Sequence, residues 1–470
     1  MTKPSMMEKI MSLCKRRGFV FPSSEIYGGL ANSWDFGPLG VEMKNNIKSE
    51  WWKFFVRSRS DIVGLDSAII INPKVWAASG HIGGFSDPLV ECKECHRRFR
   101  ADHLVGDEIW SREKDIIEGL DEIGREKRMR ELIDKCPDCG KKEAFGASRN
   151  FNLMLKTFLG PLEDDNSRAY LRPETAQGMF VNFKNILGSS RKSIPFGIAQ
   201  IGKAFRNEIT PGNFIFRTRE FEQMEIEYFI IPPKNDADWE NAFEKWRITI
   251  KSWIAHLGID EAKIHELNVP KEDLAHYSKK TVDFEYAFPF GIKELCALAY
   301  RTDFDLKNHE ENSGQNMKHR DISTGEEYWP HVIEPTFGVE RALLAVLVES
   351  YREDETPEGE IRVFMRFPTW LAPVKVAILP LVKNNPNLVA RAREIYHDVL
   401  KMGIACEYDE SGTVGRRYRR QDEIGTPFAI TVDFDTLEDN KVTIRDRDTM
   451  KQDRITLKEL ESYLKEKLNA

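Results

Sequence analysis

The clearest alternation of apolar and polar residues runs from residue 204 to residue 231 and predicts two strands joined by a turn at residues 210–213. One face of the second strand is apolar, with Met224, Ile226, Tyr228 and Ile230. The opposite face carries Phe221, Gln223, Glu225 and Glu227. We expect the apolar face to join the core and the polar face to line a site.

Charged residues converge on the polar face of this predicted hairpin. Arg206 and Glu208 share one face of the first strand, and antiparallel pairing would bring that face beside Glu225. Such charges are costly to bury unless they are paired or used by a ligand. The pattern indicates a ligand with negative groups for the arginines and a positive group for the acids.

The remaining pattern divides the chain into four predicted parts. Residues 1–90 mix helix and strand signals, and residues 91–150 are highly charged and bracketed by cysteine pairs. Residues 151–370 are rich in strands, with a helical insertion at about 235–280 and an apolar helix that begins beside Gly338. Two prolines near residue 370 mark a border, after which residues 371–470 read β-α-β-β-α, an α/β module.

Composition and charge narrow the class of protein. The 470 residues are 41% hydrophobic and 31% charged, as in ordinary globular proteins, and the net charge of −7 argues against a general polyanion binder. A nucleic-acid site must therefore be a local patch. The first residues do not resemble a signal peptide, and no stretch reaches the roughly 18 apolar residues of a membrane span, so we expect a cytoplasmic protein without membrane contact.

Four of the seven cysteines form two Cys-x-x-Cys pairs, Cys92 with Cys95 and Cys136 with Cys139. Two such pairs in an intracellular chain predict a tetrahedral four-thiolate zinc site. Its role is expected to be structural, because four thiolates leave no position open for water. The alternative is four unligated thiols, left from a site that has lost its metal.

Arginines suited to phosphate recognition recur at set positions. Arg206 and Arg217 can bind phosphates in bidentate fashion, and Phe221 can stack on a purine. Arg341 follows at the start of the apolar helix. Any one of these arginines alone is more simply explained as a surface ion pair. As a set, the stretches "FRNE…FRTREF" and "EPTFGVERALLAVL" resemble motifs 2 and 3 of class II aminoacyl-tRNA synthetases, and the helix and strand before Pro73 resemble motif 1.

Further stretches resemble the homodimeric glycyl-tRNA synthetase family over nearly the whole chain: "LRPETAQG", "FEQMEIEYF" and "GRRYRRQDEIGTPFAIT". The resemblance implies an α+β catalytic domain with an antiparallel sheet and a C-terminal α/β anticodon-binding domain. It also implies activation of glycine with ATP to glycyl-adenylate, then transfer of glycine to the 3′ end of tRNA(Gly). The implied partners are ATP with Mg²⁺, glycine, tRNA(Gly) and a second copy of the chain.

The same resemblance assigns an ATP site. Arg206 would hold the α-phosphate, Arg217 and Arg341 the γ-phosphate, and these three would carry catalysis by positioning and charge. Phe221 and Glu208 would contact adenine. Glu294 would face magnesium. The implied ATP-binding set is Arg206, Asn207, Glu208, Phe216, Arg217, Phe221, Glu294, Leu295, Gly338, Glu340 and Arg341.

A pocket for glycine is implied by matching acids in three motifs: Glu174, Glu225 and Glu334. Glycine offers only an ammonium and a carboxylate, and three acids around one cation would repel when empty, so at least one is expected to have a raised pKa. The remaining implied glycine-binding residues are Arg100, Phe221, Gln223, Arg301, Thr336 and Gly338. Internal ion pairs of the acids with Arg100 and Arg301 are the simpler alternative. Thr336 and Cys296 depart from the usual serine and aromatic residue without removing a charge.

The C-terminal module resembles the anticodon-binding domain shared by the glycyl, threonyl, prolyl and histidyl enzymes. An arginine-rich loop there suits single-stranded RNA, although a solvated charged turn is the alternative. Residues 445–448 could read base edges or form a surface turn. The expected tRNA contacts are Arg416, Arg417, Tyr418, Arg419 and Arg420.

Two other functions compete with a glycine–tRNA ligase. A non-catalytic nucleic-acid-binding accessory protein on the same fold would be expected to lose motif arginines, yet Arg206, Arg217 and Arg341 are all present. Another class II synthetase with the same tail domain would have little use for the acids Glu174 and Glu225 in a proline or histidine pocket.

Overall fold

The fold is described from a computed structural model of the chain. It describes residues 4–31, 33–209, 212–355 and 359–468. The predicted turn at residues 210–213 therefore falls partly outside the described residues, since Thr210 and Pro211 are not among them. No helix within the described ranges is long and apolar enough to cross a membrane.

Helices and strands alternate irregularly along the chain. The helices are α1 (Met6–Arg17), α2 (Pro38–Trp52), α3 (Pro73–Ala78), α4 (His81–Gly84), α5 (Ala101–Val105), α6 (Asp107–Glu118), α7 (Glu122–Leu132), α8 (Ala176–Val181), α9 (Phe183–Ser190), α10 (Asp236–His256), α11 (Phe304–Ser313), α12 (Val339–Ser350), α13 (Pro386–Lys401), α14 (Val414–Ile424), α15 (Thr436–Asp439) and α16 (Leu460–Leu468). The strands up to the central hairpin are β1 (Val20–Pro22), β2 (Trp34–Phe36), β3 (Ile62–Gly64), β4 (Ser86–Glu91), β5 (Arg98–Arg100), β6 (Arg149–Asn152), β7 (Lys156–Phe158), β8 (Arg168–Tyr170), β9 (Phe196–Phe205) and β10 (Glu220–Ile230). The later strands are β11 (Ile264–Asn268), β12 (Lys280–Phe288), β13 (Gly291–Thr302), β14 (His319–Arg320), β15 (Glu327–Tyr328), β16 (His331–Gly338), β17 (Tyr351–Glu355), β18 (Ile361–Met365), β19 (Val376–Pro380), β20 (Cys406–Tyr408), β21 (Phe428–Val432), β22 (Lys441–Asp446) and β23 (Gln452–Thr456).

A seven-stranded sheet forms the centre of the catalytic part, in the order β11-β12-β13-β16-β10-β9-β3. Its pairs are antiparallel except for β3, which runs parallel to β9 at one edge. The expected hairpin of β9 and β10 is present, and Glu225 lies opposite Gln200 on one side and Thr336 on the other. The prediction of an α+β fold with an antiparallel sheet is confirmed.

The apolar face of this sheet supports the main core. Met224 and Ile226 are fully buried there, together with Trp51 of α2, Trp253 of α10 and Leu344 of α12. Long helices with an apolar stripe cover one face of an antiparallel sheet and leave the other to carry polar groups. The polar residues of β10 therefore face the other way, toward α8 and α11.

The predicted helical insertion at 235–280 is correct only in its first part. Helix α10 ends at His256, and β11 then pairs with β12 as the edge strand of the central sheet. In the stretch "KIHELNV" apolar and polar residues alternate over only a few positions, which is a weaker signal than the helical spacing of apolar residues before it. Pairing with a long neighbouring strand decides its state, because edge strands draw much of their stability from that neighbour.

Two smaller units flank the central sheet. Strands β4, β5 and β6 form a three-stranded sheet beside α5, α6 and α7, with the four paired cysteines at its end. The C-terminal unit has a five-stranded mixed sheet in the order β20-β19-β21-β22-β23, with an apolar core that includes Ile378, Ile430 and Leu464. This is an α/β module, as expected from the sequence, but residues 371–468 hold five strands and four helices where β-α-β-β-α was predicted. The domain boundaries given above stay a prediction.

Candidate functional site

The β9–β10 hairpin and the start of α12 surround one cavity on the polar face of the central sheet. Its lining brings together almost all of the predicted nucleotide-binding side chains. The residues are Arg206, Glu208, Ile215, Phe216, Arg217, Thr218, Phe221, Gln223, Glu294, Cys296, Thr336, Phe337, Gly338, Glu340 and Arg341. Strand order explains this convergence, because β16 pairs with both β10 and β13.

Arg206 follows the last residue of β9 and is held from two sides. Its guanidinium lies 5.3 Å from the ring centre of Phe221 and 5.3 Å from that of Phe85, and its Nε donates to the carbonyl of Pro173 at 3.1 Å. Arginine between aromatic rings keeps its charge with little freedom to move. The side chain is thus oriented before any ligand arrives.

Arg341 and Arg217 are each paired with an acid in the cavity. Arg341 Nη1 lies 2.8 Å from Glu294 Oε1, and its guanidinium stands 4.7 Å from the ring centre of Phe216. Arg217 Nε lies 3.8 Å from Glu208 Oε2. The charge of Arg341, stronger than the opposing effect of burial, lowers the pKa of Glu294. Both arginines are partly exposed and can turn toward a phosphate.

Three predicted nucleotide-site residues have structural partners. Glu340 is buried, forms an ion pair with Lys44 and accepts from the backbone N–H of Glu222 at 2.9 Å, so it joins α12 to α2 and β10. Leu295 is buried in the core. Asn207 is tied through its backbone N–H to the carbonyl of Leu153 at 2.8 Å. Glu340 and Leu295 support the cavity wall rather than offer free ligand groups.

The predicted acids for an ammonium group do lie together behind this cavity. Glu174, Glu225 and Glu334 are all at least nine-tenths buried. Glu225 Oε2 accepts from the backbone N–H of Thr175 at 3.1 Å, and Glu225 Oε1 accepts from Gln223 Nε2 at 2.8 Å. Residues from "RPET", "FEQME" and "EPTFG" thus form one acidic pocket.

Arg301 is the fixed cation of the acidic pocket. Its exposed fraction is 1%, and it donates to Glu334 Oε1 at 2.9 Å and to both carboxylate oxygens of Asp305 at 2.8 and 2.9 Å. The ring of Tyr277 lies beneath it, 3.7 Å from guanidinium carbon to ring centre. The alternative of an internal ion pair therefore holds for Arg301 and Glu334.

Arg100 does not reach the pocket acids by any direct contact that the structure gives. It pairs with Asp87 at 2.9 Å and with Asp102 beside the three-stranded sheet. Both carboxylates are largely buried, so their bonds to Arg100 hold the start of α5 against β4. The charge of Arg100 also acts on Glu208 of the cavity, and its predicted glycine contact stays a prediction.

Burial and mutual repulsion set the protonation of the acids. Burial, together with the charges of Glu334 and Glu174, raises the pKa of Glu225 to about 8. Burial also raises the pKa of Glu334, although Arg301 opposes the shift. For Glu174 the effect of burial is outweighed by the nearby His81 and Arg301, and its pKa falls well below the usual range. The expected raised pKa is present, and the pocket can accept a cation.

Sequence reasoning missed three buried residues that organise this pocket. His81 Nε2 lies 3.2 Å from Glu174 Oε2, while its Nδ1 lies 2.8 Å from the hydroxyl of Ser79. Gln177 donates to Glu174 at 3.2 Å and to Asp305 at 3.0 Å. His81 lies in a short helix outside the motifs, and its neighbours in sequence give no signal. The third residue is Asp305, and its spacing of four residues from Arg301 was the one sequence signal that could have predicted their contact.

The four cysteines of the two pairs lie together at the end of β4. Their sulfur atoms all lie within 4.8 Å of one another, with Cys92 and Cys139 at 3.7 Å and Cys95 and Cys136 at 3.7 Å. Four sulfurs around a tetrahedral ion with bonds of about 2.3 Å would be separated by about 3.8 Å. The thiolate set therefore fits a metal ion that prefers sulfur ligands.

The predicted RNA-contact residues lie on helix α14, not on a loop. Thr413 caps this helix at Arg416 N, and a left-handed Gly425 ends it. Arg417 has an exposed fraction of 1% and donates to the carbonyls of Pro380 and Leu381, where it caps strand β19. Its burial removes Arg417 from the RNA-contact set.

The other members of this set differ in access. Arg416 is exposed, Arg419 pairs with Glu360, and Arg420 pairs with Asp409. Tyr418 is half-buried, and its hydroxyl lies 2.5 Å from that of Thr431. Three of the five side chains therefore reach the surface of α14 as cations.

Arg445 and Arg447 hold the C-terminal unit against the segment that precedes it, residues 361–367. Arg445 bonds Asp422 at 2.8 and 3.0 Å, and Asp422 also accepts from Arg362 of β18 at 3.3 Å. Arg447 donates to the carbonyl of Phe367 at 2.9 Å. The charged side chains in these contacts are all buried: Arg362, Asp422, Arg445 and Arg447. The stretch does form the turn between β22 and β23, one of the two predicted alternatives, and Asp448 is exposed there. The burial of Arg445 and Arg447 argues against the other alternative, the reading of base edges.

Comparison with known proteins places the chain among the aminoacyl-tRNA synthetases. Residues 161–351 match the family "tRNA synthetase class II core domain (G, H, P, S and T)", and residues 375–467 match "Anticodon binding domain". Proteins named glycine–tRNA ligase are similar over 98% of both chains: 54% identical in Alkaliphilus oremlandii and 56% in Caldanaerobacter subterraneus subsp. tengcongensis. A solved prolyl-tRNA synthetase from Cryptosporidium parvum shares the fold, with a TM-score of 0.64 at 13% identity, over 98% of this chain and 75% of that one. The chain therefore belongs to the glycine–tRNA ligase family of class II aminoacyl-tRNA synthetases.

Proposed function

We propose that this protein activates glycine with ATP and transfers the glycyl group to tRNA(Gly). The observation that carries the proposal is the position of the acidic pocket directly behind the arginine-lined cavity on one sheet face. Glu225 and Gln223 belong to the same strand and connect the two. A ligand that spans both would carry an ammonium at one end and phosphates at the other, as a glycine and ATP pair does.

The reaction needs positioning more than a nucleophilic side chain. The glycine carboxylate attacks the α-phosphate and pyrophosphate leaves, so charge neutralisation lowers the barrier. Arg206 would hold the α-phosphate and the attacking carboxylate, because it is oriented between two rings above the pocket. Arg217 and Arg341 would leave their acid partners to hold the γ-phosphate. Phe221 would stack on adenine.

Magnesium would arrive with ATP and neutralise phosphate charge. Glu294 would hold it, and Glu285 lies directly across the β12–β13 pair from Glu294. Burial and the charges of Glu294 and Glu285 raise the pKa of the neighbouring Asp283 to about 7. Clustered carboxylates of this kind suit a hard divalent cation.

Selection of glycine would follow from the closed pocket. Thr336 lies opposite Glu225 across the sheet, so its methyl group narrows the space beside the ammonium site. A larger amino acid would have to displace buried, hydrogen-bonded groups, which costs more than the roughly 1–3 kcal/mol per methylene of an apolar pocket.

We expect ATP–pyrophosphate exchange with glycine and at most background exchange with alanine, serine, threonine or proline. Exchange with one of those four instead would overturn the pocket assignment, and none with any would favour the accessory-protein alternative.

The cysteine cluster would hold zinc. We expect about one zinc ion per chain in native protein, because four thiolates at tetrahedral spacing leave no open position. Elemental analysis of purified protein tests this, with a Cys92→Ser and Cys139→Ser double variant as the metal-free comparison. A Cys406→Ser variant is the matched control, since Cys406 lies in β20 of the C-terminal sheet. Native protein without zinc, or a double variant that keeps it, would contradict the assignment.

Partners follow from the same proposal. Helix α14 would contact tRNA through Arg416, Arg419 and Arg420, with Tyr418 beside them. The homodimer and the cytoplasmic location stay predictions.

A further inference from the structure

A fourth acid, Glu227, lies deeper on the same face of β10. It follows Glu225 by two residues, so both side chains point to the polar side of the sheet. Its exposed fraction is 0%, and neither carboxyl oxygen has a hydrogen-bond partner among the residues that the structure describes. A buried carboxyl without donors is unusual and calls for a physical explanation.

The charged groups around Glu227 come from four elements. The β10–β16 register pairs Glu225 with Thr336 and Tyr228 with Ile333, which puts Glu227 opposite Glu334. Facing it are the acids Glu225 of β10, Glu334 of β16 and Asp305 of α11, and the single cation Arg301 of β13. Arg301 already donates to Asp305 and Glu334. No cation in the described pocket is left for an ionised Glu227.

An ionised Glu227 would therefore be strongly disfavoured in the empty pocket. Desolvation of a carboxylate costs several kcal/mol when no donor or cation compensates it. Burial and the charges of Glu334 and Glu225, opposed only by Arg301, raise the pKa of Glu227 well above its usual range. The empty pocket thus keeps a proton on this acid at neutral pH.

We propose that Glu227 is a further specificity-determining acid of the glycine pocket, which carries a proton in the empty enzyme and releases it when the substrate ammonium enters. This inference rests on the proposed function. The carboxyl O–H bond breaks, both electrons stay on oxygen, and the proton passes to water. The ammonium replaces the lost positive charge, and the net charge of the pocket is unchanged.

This exchange makes binding depend on a positive charge in the ligand. A ligand with an ammonium beside Glu225 and Glu334 favours the ionised form of the neighbouring Glu227, because opposite charges stabilise each other at short range. A ligand of the same shape without the amino group gives no such compensation. The carboxylate that the ammonium uncovers at Glu227 therefore adds to the discrimination between amino acids and other small carboxylates.

Calorimetry of a non-hydrolysable glycyl-adenylate analogue, at pH 7 in two buffers with different ionisation enthalpies, counts the protons released. We expect Glu227→Gln to release about one proton per site fewer than native protein, because Glu225, whose pKa is about 8, still titrates in that variant. Native protein with an analogue that lacks the amino group should release none. Glu349→Gln is the matched control, since Glu349 is a buried acid that bonds Lys263 and Tyr286 instead. It should release protons as native protein does.

The outcomes separate the two proposals. Analogue binding without proton release, or equal release from native protein and Glu227→Gln, overturns the role of Glu227 and leaves the ligase assignment intact. Failure of native protein to bind the analogue overturns the ligase assignment itself, and the inference with it.

A second measurement needs no ligand. When an acid has a raised pKa in the folded state, the protein loses stability as the pH rises above the unfolded pKa of about 4.3, because only the unfolded chain then ionises readily. Glutamine does not titrate, so the thermal midpoint of Glu227→Gln should exceed that of native protein by an amount that grows from pH 5 to pH 8. A constant difference over this range would show that Glu227 is not protonated and would overturn the inference.

Discussion

Replacement of Arg206 with alanine is expected to lower glycine-dependent ATP–pyrophosphate exchange about 10²- to 10³-fold, which is the loss typical when one preoriented charge donor is removed from a transition state. Arg206 lines the cavity, and its charge also acts on Glu225 of the acidic pocket. Its contacts among the described residues are two ring faces and one backbone carbonyl, so its removal breaks no ion pair with an acid described there. The fold should therefore survive.

Two further variants make the Arg206 result specific. Arg206→Lys keeps the charge without the planar fork, so we expect it to recover only a part of the lost rate. Arg247→Ala is the control, because Arg247 lies on α10 and pairs with Glu244 and Glu266 at the surface. Exchange should be unchanged there. A near-native exchange rate in Arg206→Ala, with an unaltered circular dichroism spectrum, would contradict the site assignment.

Replacement of Arg301 with methionine is expected to destabilise the catalytic domain by about 3–5 kcal/mol, the range for removal of one partner of a buried ion pair. Asp305 would lose two hydrogen bonds and Glu334 one, all of 2.8–2.9 Å, in a site where Arg301 is 1% exposed. Methionine has similar length and fills the space, so the loss would come from unpaired charge rather than from a cavity. Urea unfolding followed by tryptophan fluorescence measures the change.

A double variant distinguishes charge from packing at Arg301. Arg301→Met with Asp305→Asn removes one of the two uncompensated carboxylates, so we expect it to unfold at a higher urea concentration than Arg301→Met alone. The single variant Asp305→Asn gives the third corner of this cycle. If the double variant is no more stable than Arg301→Met, the ion pairs are not the source of the effect.

Local sequence pattern was sufficient for strands β9 and β10 and for finding the three arginines that line the cavity. Strict alternation over β10 predicted which side chains share a face, and the core cluster bears this out with Met224 and Ile226. The pattern was less informative after α10, where β11 exists because β12 is beside it. It also gave no warning that Arg417 would cap strand β19 from inside the domain, since a charged helix has the same composition whether its arginines face carbonyls or water.

By itself, the sequence determined the hairpin, the helix after Gly338, the two cysteine pairs and the family, because these depend on spacing within short stretches. Only the tertiary structure decided which charges meet. The order β13-β16-β10 brings Arg301, Glu334 and Glu227 side by side, and α4 brings His81 to Glu174 from outside every motif. The protonation of the pocket follows from those long-range neighbours and from burial. Both are properties of the packed sheet, which a stretch of sequence does not contain.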